Sequence, residues 1–481
     1  MSLAELNQRV KTDLSYLAYG GADWVRPLQH PAGHVYDVVI VGGGQSGLGA
    51  AFGLLRERIS NILVIDENKE GVEGPWETYA RMVTLRTPKH LTSIDLGIPS
   101  LTFRSWWEAQ TGAEGWAAVD KIPRGDWMNY LRWYRHILDL PVRNHVRLKL
   151  IEPTEEGIHR LHIENTSSDS VSVNDVLLAR KVVLATGIQG GGEWHVPSMI
   201  RNHLPSHLYA HTSADIDFGP LKGKKVAILG GGASAFDNTH FALTQGVGEA
   251  HVFVRREQLP RINPIRQMEV SGMIERFAAL QDEDKYAAIG HFFKYNQPPT
   301  NDTFERASAW DGFHLHLGSP WLKVEQVGEQ AVVTTPQGRF SFDFLIISTG
   351  LLSDPALRPE LKLVESHIAR WSDKYTAPAE VANPLLDAHP YLNAGFGLQS
   401  RDEAGKERLH GLYVFNYSAL VSCGLSASAI SGMRFAIPKL VGAIADELFL
   451  DDRADILHNF FAYAEDEFIG QWPKVANTVD V

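Results

Sequence analysis

Two glycine-rich turns carry the residue types with the clearest chemical consequence. The first reads Gly42-Gly43-Gly44-Gln45-Ser46-Gly47 and the second Gly230-Gly231-Gly232-Ala233-Ser234-Ala235. In such a turn the first glycine lets the chain bend sharply out of a strand. The second lets backbone N–H groups approach a pyrophosphate, and a small third residue allows close packing of a helix whose N-terminus faces the negative charge. Gly42, Gly44 and Gly47 fill these positions in the first copy, and Gly230, Gly232 and Ala235 in the second. Gln45, Ser46, Ala233 and Ser234 supply further backbone N–H groups.

The residues one strand later separate the two ligands. Asp66 closes the run Ile62-Leu-Val-Ile-Asp66, with Glu67 behind it. A carboxylate there accepts hydrogen bonds from ribose hydroxyls and repels a 2′-phosphate, which suits the adenosine half of FAD. The second copy ends in Arg255-Arg256, with no acid before Glu257. Two guanidinium groups would pair with a 2′-phosphate and so favour NADPH, the alternative being two solvated surface arginines.

These turns need strands and helices to hold them. Tyr36-Asp-Val-Val-Ile-Val41 is a short, β-branched run suited to a parallel strand buried on both faces, and Leu48 to Leu55 is apolar enough for a packed helix. Lys225–Leu229, Phe236–Thr244 and His251–Val254 repeat the pattern. Two more apolar runs end alike, in Thr186-Gly187 and Thr349-Gly350. The expected fold is α/β, two Rossmann-like dinucleotide-binding domains with the NADPH domain inserted into the FAD domain. Residues 1–34 read as an N-terminal extension, 35–194 as the first part of the FAD domain and 195–335 as the NADPH domain. Residues 336–481 read as the second part of the FAD domain, with a C-terminal segment on the substrate side. Between residues 262 and 316 the periodicity is weak, and a mixed helical and irregular insertion is expected.

Composition narrows the class. A chain of 481 residues exceeds one core, and 44% hydrophobic with 21% charged residues is a globular balance. A formal net charge of -12 opposes general affinity for nucleic acid or an anionic membrane. No apolar run reaches the roughly 20 residues of a membrane span, and Glu5, Lys11 and Asp13 interrupt any signal-like start, so a cytoplasmic location is expected. Cys423 is the only cysteine, which excludes intrachain disulfides and electron transfer to a cysteine pair. Its neighbours are small and apolar, as for an inert buried thiol. The 20 histidines show no HExxH-like spacing, so no metal is expected.

Short segments carry a resemblance beyond this. Gly74-Pro-Trp76 resembles a GGxW element, His211-Thr-Ser a linker fingerprint with a central histidine, and Gly232–Asp237 a GNSGxD turn with Ala235 replacing its last glycine. Thr84-Leu-Arg-Thr-Pro88, Arg255–Arg261, and Gly424-Leu425-Ser426 with Ser431 and Arg434 resemble elements of amine N-hydroxylases. From residue 36 to about 445 the chain therefore resembles the class B flavin monooxygenases, which comprise flavin-containing monooxygenases, Baeyer–Villiger enzymes and amine N-hydroxylases. One departure is Ala214-Asp215 where a Baeyer–Villiger linker carries tryptophan.

The resemblance implies that NADPH reduces FAD and that oxygen forms a C4a-peroxyflavin. It also implies transfer of one oxygen atom to a nucleophilic nitrogen or sulfur of a small molecule, with N-hydroxylation favoured. Ketone oxygenation, an NADPH oxidase or reductase without oxygen insertion, and a redox-sensing binding protein are the alternatives. Homo-oligomerisation stays open. Arg86 either stabilises a peroxyflavin anion or holds a substrate carboxylate near the flavin, or is a structural arginine paired to an acid. Trp76 covers the flavin or packs the core, and His211 positions the nicotinamide nucleotide or caps the linker. Asn296 is a nicotinamide or substrate contact or a turn residue before prolines. Ser426 touches flavin or substrate or caps a helix. Gly424 and Leu425 belong to the segment expected to close the flavin site.

Overall fold

The computed structural model describes residues 1–167, 174–295 and 297–472. Two sheets organise it, one mixed and one parallel, joined by a two-stranded link. The first contains β1 (Gln29–His30), β2 (Gly33–Val41), β3 (Ile62–Ile65), β4 (Val142–Arg143), β5 (Val146–Pro153), β6 (His159–Asn165) and β7 (Asn174–Leu184). Its path runs β4-β3-β2-β7-β6-β5, parallel from β4 to β7 and antiparallel beyond. A late strand from residues 412–414 pairs parallel with Val182–Leu184, where β6 no longer reaches. The β-branched run of β2 is buried from Asp37 to Val41, as a central strand covered on both faces requires.

After β7 the chain leaves through β8 (Gly192–Trp194) and β9 (Tyr209–His211) into the second sheet. That sheet adds β10 (Lys225–Leu229), β11 (Glu249–Phe253) and β12 (Phe313–His316). A meander of β13 (Lys323–Val327), β14 (Gln330–Thr335) and β15 (Gly338–Phe342) packs on one face. Then β16 (Phe344–Ile347) completes the order β12-β11-β10-β16-β9, parallel throughout. The return strand β17 (Leu351–Ser353) pairs antiparallel with β8, and β18 (Leu412–Val414) rejoins the first sheet. The expected α/β class with two nucleotide-type sheets is the observed one. Between β11 and β12, the described part of the insertion forms helices Pro264–Val270, Met273–Arg276, Asp282–Tyr295 and Asn301–Ser308.

The first 34 residues are more than an appendage. Helix α1 (Leu3–Tyr16) opens with a capping box, in which Ser2 N–H donates to Glu5 and Glu5 N–H to Ser2 Oγ. Leu6, Val10 and Leu14 then join the core beneath the first sheet. The aromatic run on α3 (Phe103–Ala118) and α4 (Arg124–Ile137) is core as well: Trp106, Trp127 and Tyr134 are buried in one cluster with Phe103. No single helix among the described residues is long and apolar enough to cross a membrane.

At the base of the first sheet, Lys181 on β7 has no solvent exposure. Its ammonium reaches Asp451 at 2.8 Å and Glu447 at 3.1 Å, both on the helix Met433–Asp451. His410 bridges the same two carboxylates at 2.9 and 3.0 Å. Hydrogen bonds to Asp451 and Glu447 raise the imidazole from 6.5 to about 9. Burial disfavours both carboxylates, yet the hydrogen bonds from His410 and the charge of Lys181 hold each at about 2. The histidine's contribution is therefore complete below pH 6.5 and lost as pH rises through 9, because the fold keeps the proton that the unfolded chain releases. The carboxylates contribute above their ordinary range and lose that contribution as pH falls through 2.

Thermal melts of the wild type and His410→Gln should differ most near pH 6 and converge as pH approaches 9. A gap that stays constant or widens toward pH 9 would contradict this linkage.

Candidate active site

Each glycine turn sits where a parallel strand ends and a helix begins. Gly42 follows β2 with φ +111°, and a Cβ there would strike the Ala185 carbonyl oxygen. A Cβ on Gly47 would fall on the Gly42 carbonyl oxygen, so the turn closes only with glycine at both positions. The helix that follows, α2 (Gln45–Arg56), has Gly44 as its N-cap and no side-chain cap hydrogen bond. Its first-turn N–H groups therefore have no side-chain acceptor, the condition for holding a phosphate oxygen. The second turn repeats this: Gly230 has φ +149° against Ser348, and Gly232 caps the helix Ala233–Thr244 without a side-chain bond.

Asp66 is buried beside the first turn. Its Oδ2 accepts Gly43 N–H at 2.7 Å, and its Oδ1 accepts the backbone and side-chain N–H groups of Asn68 at 2.8 and 3.0 Å. Burial still raises its pKa, since the carboxylate has exchanged water for these few donors. Glu67 instead points outward and pairs with Arg147 at 2.7 Å. Glu73 is buried behind the turn against Arg135 at 2.6 Å, and Gly74 faces Gly44 backbone to backbone. Trp76 is buried with an indole N–H that has no partner among the described residues. Gln45 accepts from the Trp127 indole at 3.1 Å.

The two Thr-Gly strand ends lead into the link between sheets. Thr186 Oγ1 accepts from Asn416 at 3.1 Å, and Asn416 also holds Ser418, which fastens the late strand to this crossing. The Thr349 hydroxyl donates to the His195 carbonyl, and His195 N–H returns to the Gly350 carbonyl at 2.9 Å. Beside this link the His211 ring stacks on Trp194 at 4.8 Å. Ser213 N–H donates to His211 Nδ1 at 3.2 Å, which places the ring proton on Nε2. Burial lowers this imidazole to about 4, so it is neutral at physiological pH.

A second tie comes from the loop after Trp76. Arg86 forms an ion pair with Asp237 on the helix Ala233–Thr244. Five residues earlier, Arg81 is buried and donates to the carbonyls of Thr212 and Ala214 and to Asn238 on that same helix. Burial pushes Arg81 down to about 10, which leaves it cationic at neutral pH. Sequence reasoning missed Arg81, Glu73 and Asn416, because no motif marks them and their partners lie far along the chain. For Arg86, the acid-paired alternative is the arrangement present.

The two arginines after β11 are exposed: Arg256 donates to the Lys294 carbonyl at 2.9 Å, and Arg255 stands free of side-chain ion pairs among the described residues. Ser426 is buried, its hydroxyl donating to the Cys423 carbonyl at 2.8 Å. Gly424, at φ +70°, lies against the Phe277 ring from the insertion, and Leu425 packs in the same cluster. Cys423 is buried, and burial raises its thiol to about 12, as expected of an inert thiol. Asn296 lies outside the described residues.

Paired cradles on two linked sheets define a flavin- and nicotinamide-type oxidoreductase fold, and comparison with known proteins sharpens it. A family described as FAD-NAD(P)-binding matches residues 39–189, and one described as L-lysine 6-monooxygenase/L-ornithine 5-monooxygenase matches residues 117–290. The chain belongs to the flavin-dependent monooxygenases. Within them it belongs to the family of the FAD-dependent urate hydroxylase of Xanthomonas campestris pv. campestris, to which it is 60% identical over 100% of both chains. The ornithine hydroxylase of Pseudomonas aeruginosa is 15% identical, with a TM-score of 0.66 over 86% of this chain and 100% of that one. The ornithine N-hydroxylase of Kutzneria sp. 744 is 15% identical, with a TM-score of 0.65 over 86% and 99%. At that identity the two structures share the fold, which does not fix a substrate.

Asp237→Asn removes the partner of a largely buried guanidinium and should cost about 3–5 kcal/mol, the range for breaking a buried ion pair. Urea unfolding of the purified variant measures this; a cost below ~1 kcal/mol would place the pair in the surface class.

Proposed function

We propose that this protein is an FAD- and NADPH-dependent monooxygenase that hydroxylates urate or a closely similar purine. The observation that carries the substrate is the full-length identity of 60% to the FAD-dependent urate hydroxylase. The residues present fit the two cofactors: both helix N-termini lack side-chain caps, and both turns exclude a Cβ at their first glycine.

In this reading Gly42 to Gly47 hold the FAD pyrophosphate on the N–H groups of Gln45, Ser46 and Gly47. Asp66, fixed by Gly43 and Asn68, would accept the ribose hydroxyls. Trp76, whose buried indole N–H has no partner among the described residues, would be a further donor to this cofactor. Thr186, Gly187, Thr349 and Gly350 form the crossing beside the flavin, and Gly424, Leu425 and Ser426 close it. Gly230 to Ala235 hold the NADPH pyrophosphate, with Arg255 and Arg256 at the 2′-phosphate. Neutral His211 keeps Nδ1 on Ser213, and its Nε2–H, without a partner among the described residues, would be the donor offered to the nicotinamide nucleotide. Arg86, neutralised by Asp237, serves as a positioning residue that sets the two cradles against each other.

Reduced flavin, when bound, supplies the two electrons with which molecular oxygen is split, one atom entering the substrate and the other leaving as water. Excluding bulk water falls to the insertion and the C-terminal segment, which pack together through Phe277, Leu420 and Leu425. The second reading is N-hydroxylation of an amine, supported by the lysine/ornithine monooxygenase match over residues 117–290.

Purified protein loaded with FAD should oxidise NADPH faster when urate is added and should place one atom from labelled oxygen in the product. Stimulation by ornithine or lysine and not by urate would favour the amine reading, and peroxide alone with every compound would remove both. Gly47→Ala should retain FAD at least about tenfold more weakly, or ~1.4 kcal/mol, read from the flavin absorbance of the purified protein. Arg255→Ala should raise KM for NADPH about tenfold while changing KM for NADH little, as loss of one charge-assisted hydrogen bond predicts.

A further inference from the structure

A second cluster of ligand-type side chains stands apart from the nucleotide turns. On β11 the side chains of Glu249, His251 and Phe253 point to one face, since alternate residues of a strand share a face. Parallel pairing sets His251 beside His314 and Phe253 beside His316 on β12. The rings of His251 and His314 stack at 4.2 Å, and those of His251 and His316 at 5.2 Å. His251 Nε2 lies 3.0 Å and His314 Nε2 4.0 Å from Glu249 Oε2. One ligand atom from each of the three residues falls within 4.8 Å of the others. Ligand atoms bound to one zinc ion at about 2.0–2.2 Å stand ~3–4 Å apart, which these separations match within small side-chain rotations.

The surroundings resemble a supported ligand set. The Lys225 ammonium holds Glu249 Oε1 at 2.8 Å and leaves Oε2 facing the imidazoles. His251 Nδ1 meets His316 Nε2 at 3.0 Å. If His251 Nε2 binds a metal, its ring proton moves to Nδ1 and donates to His316. That hydrogen bond to the non-ligating nitrogen typically orients a metal-bound histidine. Glu249 and His251 are half-buried and His314 is exposed, with 44% of its side chain in solvent, so an ion has a route in. No spacing along the sequence could mark the site, because its ligands come from strands separated by the whole insertion.

We propose that Glu249, His251 and His314 bind one divalent transition ion of the zinc class on β11 and β12. Two imidazoles and one carboxylate suit such an ion, with water completing its coordination. The site runs from the starts of the strands to their middle, away from Gly230, because Glu249 pairs with Lys225 and His251 with Ala227 whereas the turn follows the end of β10. Its ion would pin β12, the strand that re-enters the sheet after the insertion, to β11. The role is structural.

The test uses the full-length, FAD-loaded protein, stripped with a chelator and titrated with Zn2+ by calorimetry. One site per chain is expected, with a zinc-dependent rise in Tm. Glu249→Gln and His314→Ala should each weaken binding by about tenfold or more and abolish the Tm rise. His203→Ala, an exposed histidine elsewhere, should change neither. Absence of stoichiometric binding by the wild type overturns the proposal. So does unchanged affinity in Glu249→Gln, a near-isosteric change on a half-buried side chain that tests the site even if His314→Ala folds poorly.

Discussion

The first turn of an α-helix carries N–H groups that nothing inside the helix can accept, and the turns that follow Gly44 and Gly232 are left without a side-chain cap where a parallel strand ends. Much of the architecture serves that condition. The chain must arrive from a strand end, so Gly42 and Gly230 take left-handed backbone angles under the carbonyls of Ala185 and Ser348. The helix must lie close on the sheet, which Gly47 permits in one copy and the buried Ala235 in the other. The strands that deliver these turns are buried on both faces, and that in turn demands α2, the helix Ala233–Thr244 and the meander as cover.

Two cradles are useful together only if they keep a fixed relation, since group transfer between bound molecules falls off with ångström-scale misplacement. Covalent continuity gives the pair β8 and β17, running side by side in opposite directions. Charge gives the rest. Arg81 and Arg86 leave the loop of the first unit and meet Asn238 and Asp237, neighbours on one helix of the second. A buried guanidinium is costly unless its donors are used, and Arg81 spends its own on two carbonyls and an amide. Such a contact resists sliding more than an apolar one would, because displacement leaves unpaired polar groups.

Enzymes that share this fold at 15% identity include ornithine hydroxylases, whereas a relative at 60% is a urate hydroxylase. The insertion and the C-terminal segment lie outside the residues of either glycine turn. They meet in one cluster, where Phe277 covers Gly424 and Leu420 and Leu425 pack with Trp371.

Local chemistry made the cradles legible in the sequence. A glycine turn between a β-branched run and an apolar helix depends on residues within about fifteen positions, and the position of Asp66 at the following strand end belongs to the same unit. The α/β class followed from that pattern occurring twice, and the single cysteine ruled out dithiol chemistry outright. What joins distant segments was not legible. Arg86 had two open readings until Asp237 met it, Arg81 carried no motif, and the first 34 residues gave no sign that Leu6 and Val10 complete the core. Glu249, His251 and His314 looked like scattered polar residues until strand register set them side by side. Sequence determines what a residue can donate, accept or exclude; only the tertiary fold decides which partner reaches it, because those contacts are made across segments that no local spacing connects.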